Sequence, residues 1–424
     1  MKDTDKIKIT GGKKLHGSIK ITGAKNSALP LVITSILTSK KLILSNVPSL
    51  TDMETIYAIL EELGVKITQE NDVLTFDGSS ITNFTASYDL VSSMRASVLI
   101  LGPLLARFHK AVVPLPGGCS IGLRPVDLHI SALEKMGATI KMEHGNIVAE
   151  AERGLVGAEI TFDKVSVGAT ENILMAATLA KGKTKLINVA REPEIVDLAN
   201  CLIKMGAKIT GAGSSVIEIE GVEALHGAEH RVIADRIQAG SYAIAALATG
   251  GEIILENLDD GIWGNFLEVL AATGAEITNL GGGKLQIKSS SKINAVDITT
   301  APFPLFPTDL QSPFMALMSI AAGKSVFSEK IFENRFSIVP ELKRMGANIT
   351  IVDSATAIVE GAEKLYSAEV KATDLRSAFC LIIAGLVASG ETIITELHHL
   401  DRGYVDAVEN LLNLGADIKR GVNI

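Results

Sequence analysis

A glycine-rich stretch, residues 114–127, holds the residue types with the clearest potential for chemistry. Cys119 lies between Gly118 and Gly122 rather than on an apolar face, and Arg124 follows it five residues later. Glycines allow positive φ angles, so such a loop can move. A nearby cation favours the thiolate, which is the reactive form of cysteine. The spacing fits a reactive thiol, and equally an exposed glycine loop that carries an incidental cysteine.

The other two cysteines, Cys201 and Cys380, lie in apolar helical patterns and are expected to be inert core residues. No CxxC spacing occurs, so the sequence suggests neither a zinc site nor a disulfide framework. The N-terminus lacks the apolar core of a signal peptide. The longest apolar run, residues 378–388, is too short to span a bilayer. We therefore expect a cytoplasmic protein without membrane insertion.

The composition limits the possible fold classes and binding partners. A chain of 424 residues with 47% hydrophobic and 21% charged residues is typical of a globular protein with two domains. The net charge of −8 argues against a nucleic acid partner. It leaves room for a small anionic ligand, which needs only a local cluster of cations.

A short pattern, a helix end followed by Gly, then Ala or Val, then any residue and Ile, occurs six times. Its glycines are 68 to 73 residues apart and are Gly64, Gly137, Gly206, Gly274, Gly346 and Gly415. Each is predicted to end a helix in the left-handed conformation. Each repeat is predicted to be an α-β-α-β-β unit in an α/β protein. The period exceeds that of common solenoids, so six units favour two domains of three repeats.

The periodicity also predicts element bounds. The first apolar helices are expected over 27–37 and 95–107, and the second helices over 52–63 and 125–136. The strands of the first repeat are expected over 41–44, 65–68 and 73–76. Gly281–Gly283 is expected to be a hairpin turn, and the chain shows neither a P-loop nor a dinucleotide fingerprint.

Charged and polar residues collect at two positions in the repeat. Before or at the first helix are Lys25, Asn26, Arg95, Lys164, Ser166, Val167, Gly168, Asp235, Asp309 and Arg376; before the second are Arg124, Arg191, Arg335 and Arg402. Helix N-termini attract anions, and the arginine fork matches carboxylate and phosphate. If these ends converge in each domain, two facing domains would line an anion-binding cleft.

Individual residues have plainer interpretations. Asp309 precedes a helix, so N-capping is an equal alternative to a chemical role. Arg402 is also consistent with a surface cap. Arg95 and Arg376 begin very apolar helices, where a long side chain can reach past the apolar face to water.

Several motifs together resemble the UDP-N-acetylglucosamine enolpyruvyl transferases, over essentially the whole chain. The motifs occupy residues 23–30, 95–97, 115–129, 164–170, 190–197, 306–309, 332–336, 373–376 and 399–404. The resemblance implies two inside-out α/β barrel domains, each of three α-β-α-β-β repeats with pseudo-three-fold symmetry. One domain would comprise 1–22 plus 234–424, and the other 23–233 with the Cys119 loop. The active site would lie in the cleft between them.

The resemblance further implies a reaction. The enolpyruvyl group of phosphoenolpyruvate passes to the 3′-hydroxyl of UDP-N-acetylglucosamine through a tetrahedral ketal, with release of phosphate, as the first committed step of peptidoglycan synthesis. No metal or organic cofactor is implied, and we expect a monomer. The chemistry requires an acid, a base and cations. By resemblance, Cys119 protonates C3 and is the target of the epoxide fosfomycin, and Asp309 is the base.

The resemblance assigns the remaining roles. Lys25, Arg124 and Arg402 would bind phosphate, with Lys25 and Arg402 counted among the catalytic residues, and Arg335 and Arg376 would lie near the carboxylate. The nucleotide sugar would contact Asn26, Arg95, Arg124, Pro125, Val126, Asp127, Leu128, Lys164, Ser166, Val167, Gly168, Asp309 and Ile331. Two residues depart from the family pattern: Gln238 stands where many relatives have Glu, and Thr51 where some have Lys. We expect these changes to tune substrate binding without abolishing it.

Two other functions remain open. The enolpyruvyl transferases of shikimate 3-phosphate share the fold and the ketal chemistry, but as a family they lack the Pro-Gly-Gly-Cys loop. A non-catalytic paralogue could bind UDP-N-acetylglucosamine as a sensor. The presence of Lys25, Cys119, Asp309 and Arg402 argues against a pure binding protein.

Overall fold

The computed structural model describes residues 5–115 and 126–422. Contacts between Cα atoms divide these residues into two compact units. Residues 5–22 and 234–422 form the terminal unit, and residues 23–115 and 126–233 form the inserted unit. No helix in this part of the chain is both long enough and apolar enough to cross a membrane.

The described residues form 23 strands and 14 α-helices. The strands are β1 (Lys6–Thr10), β2 (His16–Lys20), β3 (Lys41–Ser45), β4 (Lys66–Glu70), β5 (Val73–Asp77), β6 (Lys110–Pro114), β7 (Thr139–Glu143), β8 (Asn146–Glu150), β9 (Glu159–Thr161), β10 (Lys183–Ile187), β11 (Lys208–Thr210), β12 (Val216–Glu220), β13 (Ala228–Arg231), β14 (Glu252–Glu256), β15 (Glu276–Gly281), β16 (Lys284–Lys288), β17 (Ile298–Thr299), β18 (Lys324–Ser328), β19 (Asn348–Asp353), β20 (Thr356–Glu360), β21 (Glu369–Lys371), β22 (Glu391–Thr395) and β23 (Asp417–Gly421).

The α-helices are α1 (Lys25–Ile33), α2 (Thr51–Leu63), α3 (Tyr88–Ser93), α4 (Leu101–Phe108), α5 (Asp127–Lys135), α6 (Val167–Ala177), α7 (Pro193–Lys204), α8 (Arg236–Ala248), α9 (Phe266–Ala272), α10 (Gln311–Met318), α11 (Val339–Arg344), α12 (Leu375–Val387), α13 (His398–Asp401) and α14 (Ala407–Asn413). Short 3₁₀ helices cover Thr34–Leu37, Gly78–Ser80, Arg95–Ile100, Thr308–Leu310 and Arg335–Ile338.

The five four-stranded sheets share one pairing pattern. In each, one strand pairs in parallel with an edge strand and antiparallel with an inner strand; β14, for example, pairs in parallel with β2 and antiparallel with β16. The terminal unit holds the sheets β21-β22-β1-β23, β15-β16-β14-β2 and β17-β18-β20-β19, and the inserted unit holds β11-β12-β10-β9, β13-β3-β5-β4 and β6-β8-β7. The fold is therefore mixed α/β, and none of these six sheets closes into a barrel within the described residues.

Apolar helices occupy the interior of each unit. In the terminal unit α8, α10 and α12 pack against one another, and every residue of α8 and α10 is buried. In the inserted unit α4 packs against α6, and α1 packs against α7 and against the 3₁₀ helices Thr34–Leu37 and Arg95–Ile100. A helix that is apolar on all sides is stable only when it is surrounded by protein. The sheets and the amphipathic second helices provide that cover.

The six repeated glycines adopt the predicted conformation. Their φ angles lie between 90° and 107°, so the expectation of a left-handed residue after each second helix is confirmed. At Gly64 a Cβ atom would also approach the carbonyl oxygen of Ser80 to 2.6 Å. A side chain is therefore excluded there by backbone conformation and by space.

The first helices are less regular than expected. The helix expected over 95–107 is a 3₁₀ helix, Arg95–Ile100, that continues as α4, and the one expected over 27–37 is α1 followed by a 3₁₀ turn. Pro103 lies in the first turn of α4 and cannot donate to the carbonyl of Leu99. The missing i→i−4 bond explains why the α-helix begins only at Leu101.

Candidate active site

An aspartate and two arginines from three segments meet in the terminal unit. Asp309 lies in the 3₁₀ helix Thr308–Leu310, just before α10. Its Oδ1 accepts a hydrogen bond from Arg335 Nη2 at 2.6 Å, and its Oδ2 accepts one from Arg376 Nη2 at 2.9 Å. Neither the 3₁₀ helix nor α10 has a side-chain cap bond, so the N-cap alternative for Asp309 is wrong.

Both arginines are buried. Arg335 is 2% exposed and Arg376 is 5% exposed. The alternative in which Arg376 extends past an apolar helix to water is therefore also wrong. Charge-assisted hydrogen bonds to a shared carboxylate compensate for the burial of these cations.

Arg376 keeps hydrogen-bonding capacity. Its Nη1 is buried and has no hydrogen-bond partner among the described residues. The guanidinium lies 5.5 Å from the ring centroid of Tyr404. Burial works to lower the pKa of Arg376, but the charges of Asp309 and Asp235 hold that pKa above its usual value. The side chain is thus a fixed cation with a donor available to an anion.

Two further aspartates cap the helices beside this cluster. Asp235 accepts from the backbone N–H groups of Ile237 and Gln238 at the start of α8. Asp374 forms a capping box with Ser377 at the start of α12 and lies 3.9 Å from Arg335 Nη1. Asp309 contacts Arg376 at the start of α12, and its 3₁₀ helix packs against α8, so the N-terminal ends of α8, α10 and α12 meet in the terminal unit.

The remaining predicted residues of the terminal unit lie on loops. Ile331 is partly buried, and its backbone N–H donates to Glu329 Oε1 at 2.8 Å. Arg402 is partly buried and follows the four-residue helix α13. Arg402 precedes the second helix of its repeat, α14, which begins at Ala407.

Gln238, one of the two departures from the family pattern, is buried in the terminal unit. Its Oε1 accepts from the backbone N–H and the hydroxyl of Thr22, both at 3.1 Å. The amide thereby ties the start of α8 to the segment after β2. Thr51, the other departure, is the exposed first residue of α2 in the inserted unit.

In the inserted unit a buried ion pair opens the first helix. Lys25 is the first residue of α1, and its Nζ lies 2.5 Å from Asp52 Oδ2 in the first turn of α2. Lys25 is 8% exposed and Asp52 is 5% exposed. Asn26 follows Lys25 and is partly buried. The carboxylate therefore fixes the ammonium group at the N-terminal end of α1.

The predicted nucleotide-binding segment lies at the start of α6. Ser166 caps this helix, its Oγ accepting from Ala169 N at 3.3 Å, and Val167 and Gly168 form the first turn. Lys164 is exposed two residues before the cap. This arrangement presents backbone N–H groups and a cation together, as anion sites at helix ends do.

A neutral histidine lies beside that helix end. His129 Nδ1 is 2.9 Å from Asn172 Nδ2, and Asn172 Oδ1 accepts from Gly102 N at 2.8 Å. The backbone bond fixes the amide, so Nδ2 donates to Nδ1 and the imidazole proton lies on Nε2. Burial and the charge of Arg95 lower the pKa of His129 to about 4. A Cβ on Gly168 would lie 3.7 Å from Nε2, so this neutral donor borders the predicted segment.

The other predicted residues of the inserted unit fall near these groups. Arg95 is partly buried at the start of its 3₁₀ helix. Val126, Asp127 and Leu128 form the start of α5, with Asp127 exposed. Cys119, Arg124 and Pro125 lie outside the described residues.

Cys201 and Cys380 are both fully buried, as expected. Burial and the charge of Asp197 raise the pKa of the Cys201 thiol to about 12. Burial, followed by the charge of Asp374, also raises the pKa of Cys380. Both thiols are therefore poor nucleophiles at neutral pH.

Sequence reasoning missed three residues that the structure places in these clusters: Asp52, His129 and Glu329. Asp52 resembles any acidic residue in a first helical turn, and His129 is one residue of a longer motif. Glu329 carries a signal, because it follows a strand where three other repeats have asparagine.

The architecture is that of the enolpyruvyl transferases. The enolpyruvyl transferase NikO from Streptomyces tendae superimposes with a TM-score of 0.88 at 24% identity and covers 98% of both chains. EPSP synthase from Acinetobacter baumannii superimposes with a TM-score of 0.77 at 21% identity, covering 98% of this chain and 100% of that one. These likenesses establish the fold class.

Sequence comparison identifies the family. The family model of EPSP synthase (3-phosphoshikimate 1-carboxyvinyltransferase) matches residues 9–411. Proteins named UDP-N-acetylglucosamine 1-carboxyvinyltransferase are 52% identical in Xanthobacter autotrophicus and in Granulibacter bethesdensis, and 51% identical in Beijerinckia indica. Each match covers 98% of this chain and 99% of the relative. The chain belongs to the UDP-N-acetylglucosamine 1-carboxyvinyltransferase family of enolpyruvyl transferases.

Proposed function

We propose that this chain transfers the enolpyruvyl group of phosphoenolpyruvate to the 3′-hydroxyl of UDP-N-acetylglucosamine in the cytoplasm, with release of phosphate. This reaction commits the sugar to peptidoglycan synthesis. The observation that carries the proposal is the match at 52% identity over nearly the full length to relatives that bear this name. The buried cluster of Asp309, Arg335 and Arg376 supports it.

We also propose the finer architecture of the family for each unit, an inside-out barrel with pseudo-three-fold symmetry. Three sheets of one topology and three apolar inner helices in the terminal unit support this arrangement. The described part of the inserted unit also has three sheets, of which β6-β8-β7 has three strands and the other two have four.

In the proposed mechanism Asp309 accepts the proton of the sugar hydroxyl as its oxygen attacks C2 of the enol. A carboxylate accepts at about four lone-pair positions, so the two arginine contacts do not by themselves prevent a sugar hydroxyl from donating to Asp309. The two cations favour the ionised carboxylate and weaken it as a base. When a substrate carboxylate draws Arg376 or Arg335 toward itself, the basicity of Asp309 increases.

Cys119 delivers the proton to C3, which completes the tetrahedral ketal. Loss of a C3 proton and of phosphate then restores the double bond in the product. Lys25 binds the phosphate, since its ammonium is held at the N-terminal end of α1, where a cation and free backbone N–H groups favour an anion. Arg124 and Arg402 are assigned to the same phosphate. The start of α6, with Ser166 and Gly168 beside the neutral His129, is assigned to the nucleotide sugar.

Phosphate release in the presence of phosphoenolpyruvate and one acceptor at a time tests the proposal. We expect turnover with UDP-N-acetylglucosamine and a product heavier by one enolpyruvyl group in mass spectrometry. Turnover with shikimate 3-phosphate instead would assign the chain to the other acceptor. Calorimetric binding of UDP-N-acetylglucosamine without turnover would indicate a sensor.

A further inference from the structure

An asparagine clamp recurs in the sheets. Directly after β3, β10 and β14, an asparagine with a φ of 58° to 68° donates its Nδ2 to the carbonyl of the residue that directly follows the neighbouring parallel strand. The pairs are Asn46 with Val232 at 2.8 Å, Asn188 with Phe162 at 2.8 Å, and Asn257 with Ile21 at 2.7 Å. Each clamp closes the end of a parallel strand pair.

In the repeat that contains β18, groups of opposite hydrogen-bonding character replace this clamp. Glu329 follows β18 where the asparagines follow their strands, and Thr300 follows β17 where Ile21 follows β2. Backbone hydrogen bonds show that Thr300 and Ile21 occupy equivalent positions. Thr300 N donates to the carbonyl of Ser328, the last residue of β18, at 3.0 Å, and Ile21 N donates to the carbonyl of Glu256, the last residue of β14, at 2.9 Å. Glu329 does not adopt a positive φ. It accepts hydrogen bonds where the asparagines donate.

Four donors surround the carboxylate of Glu329, which is 3% exposed. Its Oε1 accepts from Thr300 Oγ1 at 2.8 Å, from Ile331 N at 2.8 Å and from Phe332 N at 3.1 Å. Its Oε2 accepts from Thr308 Oγ1 at 3.0 Å. A buried carboxylate with this many donors has a single favourable orientation.

The Thr308 hydroxyl transmits that orientation to the candidate site. A hydroxyl has one proton, and Thr308 directs it at Glu329, so a lone pair faces Arg335 Nε at 3.1 Å. The same guanidinium donates from Nη2 to Asp309. Three hydrogen bonds thus connect Glu329 through Thr308 and Arg335 to the proposed base.

We propose that Glu329 is a positioning residue for enolpyruvyl transfer. It fixes the Thr308 hydroxyl, which holds Arg335 in the orientation that Asp309 and the substrate carboxylate require. This inference rests on the proposed function, but the part that concerns structure involves only the hydrogen bond between Thr308 and Arg335 and is independent of the substrate.

Glutamine cannot replace this carboxylate. An amide nitrogen at the Oε1 position would face the N–H groups of Ile331 and Phe332, which are donors themselves. At the Oε2 position it would donate to Thr308 and leave the hydroxyl proton of that residue without its acceptor. Glu329→Gln preserves side-chain size, but in either rotamer it breaks hydrogen bonds that hold the carboxylate beside Thr308.

The kinetic test uses Glu329→Gln, Thr308→Val, their double variant and Thr308→Ser. Because displacement of a catalytic group by about 1 Å can lower turnover by roughly 10²-fold, we expect losses of roughly 10- to 100-fold in kcat for each of the first two. The double variant should be no slower than the slower single variant, since both substitutions disturb the same chain of hydrogen bonds to Arg335. Thr308→Ser retains the hydroxyl and should keep kcat within about threefold of wild type.

Asn188→Gly is the matched control. It removes an equivalent clamp in the inserted unit while allowing the same positive φ, so it should lower the melting temperature and leave kcat unchanged. Multiplicative losses in the double variant, or equal losses in Thr308→Ser and Thr308→Val, would overturn the proposal. If Glu329→Gln fails to fold, the contrast between Thr308→Ser and Thr308→Val decides it.

A measurement without substrate separates this inference from the proposed function. The Nε–H resonance of Arg335, identified by its loss in Arg335→Lys, should exchange faster with water in Glu329→Gln and Thr308→Val. It should be unchanged in Thr308→Ser and Asn188→Gly. A wild-type protein without phosphate release would reject the proposed function, whereas an unchanged Arg335 resonance in Thr308→Val would reject the positioning path.

Discussion

The two units contain buried ionic clusters of different design. In the inserted unit Lys25 and Asp52 form a close pair between the first turns of α1 and α2. In the terminal unit Asp309 bridges Arg335 and Arg376, and Asp374 lies 3.9 Å from Arg335. Removing Lys25 takes away the counter-charge that lies 2.5 Å from Asp52, whereas Arg335 would keep Asp374 nearby if Asp309 were removed. We therefore expect the pair to dominate stability and the network to dominate chemistry.

The largest effect should come from Asp309→Asn. The amide keeps the size of the side chain but cannot take a proton, so kcat should fall by roughly 10²- to 10⁴-fold. Phosphate release measures the rate, and circular dichroism checks the fold, which Asp374 helps to preserve near Arg335. Near wild-type turnover would make Asp309 a structural member of the network only.

The thiols extend the comparison between the units. At pH 8 a thiol with a pKa of about 12, like Cys201, has about 10³-fold less thiolate than one with the ordinary value of 9.0. Cys380 in the terminal unit should be equally protected. Fosfomycin should therefore label Cys119, and faster when UDP-N-acetylglucosamine is present.

Peptide mass mapping after treatment of the native protein identifies the labelled cysteine. The Cys119→Asp variant is the control, since it should resist the epoxide yet retain some turnover because a carboxylic acid can also donate a proton. Label on Cys201 or Cys380 would contradict the assignment of Cys119 as the reactive thiol.

The pair in the inserted unit can be broken in two ways. Lys25→Met leaves Asp52 without its ammonium partner and should reduce the free energy of unfolding by about 3–5 kcal/mol. Adding Asp52→Leu replaces the pair by apolar side chains and should recover most of that loss. Urea denaturation measures both values.

Activity distinguishes the two roles of Lys25. The double variant should be stable yet inactive, because phosphate has lost a cationic ligand. A double variant that regains turnover with stability would show that Lys25 acts only through the structure.

The smallest effect concerns a carboxyl group on α6 of the inserted unit. Burial, followed by the charges of Glu194 and Glu192, raises the pKa of Glu171 well above 4.5, and Glu171 Oε1 has no hydrogen-bond partner among the described residues. The native protein therefore keeps a proton that the unfolded chain releases above that value. Stability should fall as pH rises from about 4.5 toward the folded pKa.

Glu171→Gln mimics the protonated group and should flatten this dependence. The variant should gain melting temperature relative to wild type at pH 8 more than at pH 5. Glu218→Gln, at an exposed position of β12, serves as the control and should give equal differences at both pH values. An equal gain for Glu171→Gln at both pH values would show that Glu171 does not hold the proton that the native protein retains.

Much of the local structure was predictable from the sequence. The six glycines after the second helices have the expected conformation, and Cys201 and Cys380 are buried. These features depend on a residue's own backbone or on apolar periodicity, which the sequence displays directly. The start of α4 was missed because Pro103 shifts hydrogen bonding within an otherwise regular apolar pattern.

The sequence by itself determined the repeats, the order of helices and strands, and the family to which the chain belongs. Only the tertiary structure decided which charges meet. Asp309 and Arg376 are 67 residues apart, and they pair because the N-terminal ends of neighbouring repeats pack together. Likewise, the asparagines of three other repeats mark the position of Glu329 in the sequence, but only packing surrounds its carboxylate with four donors. Hydrogen bonds and ion pairs are short-ranged and directional, so their partners are fixed by packing between repeats rather than by spacing within one.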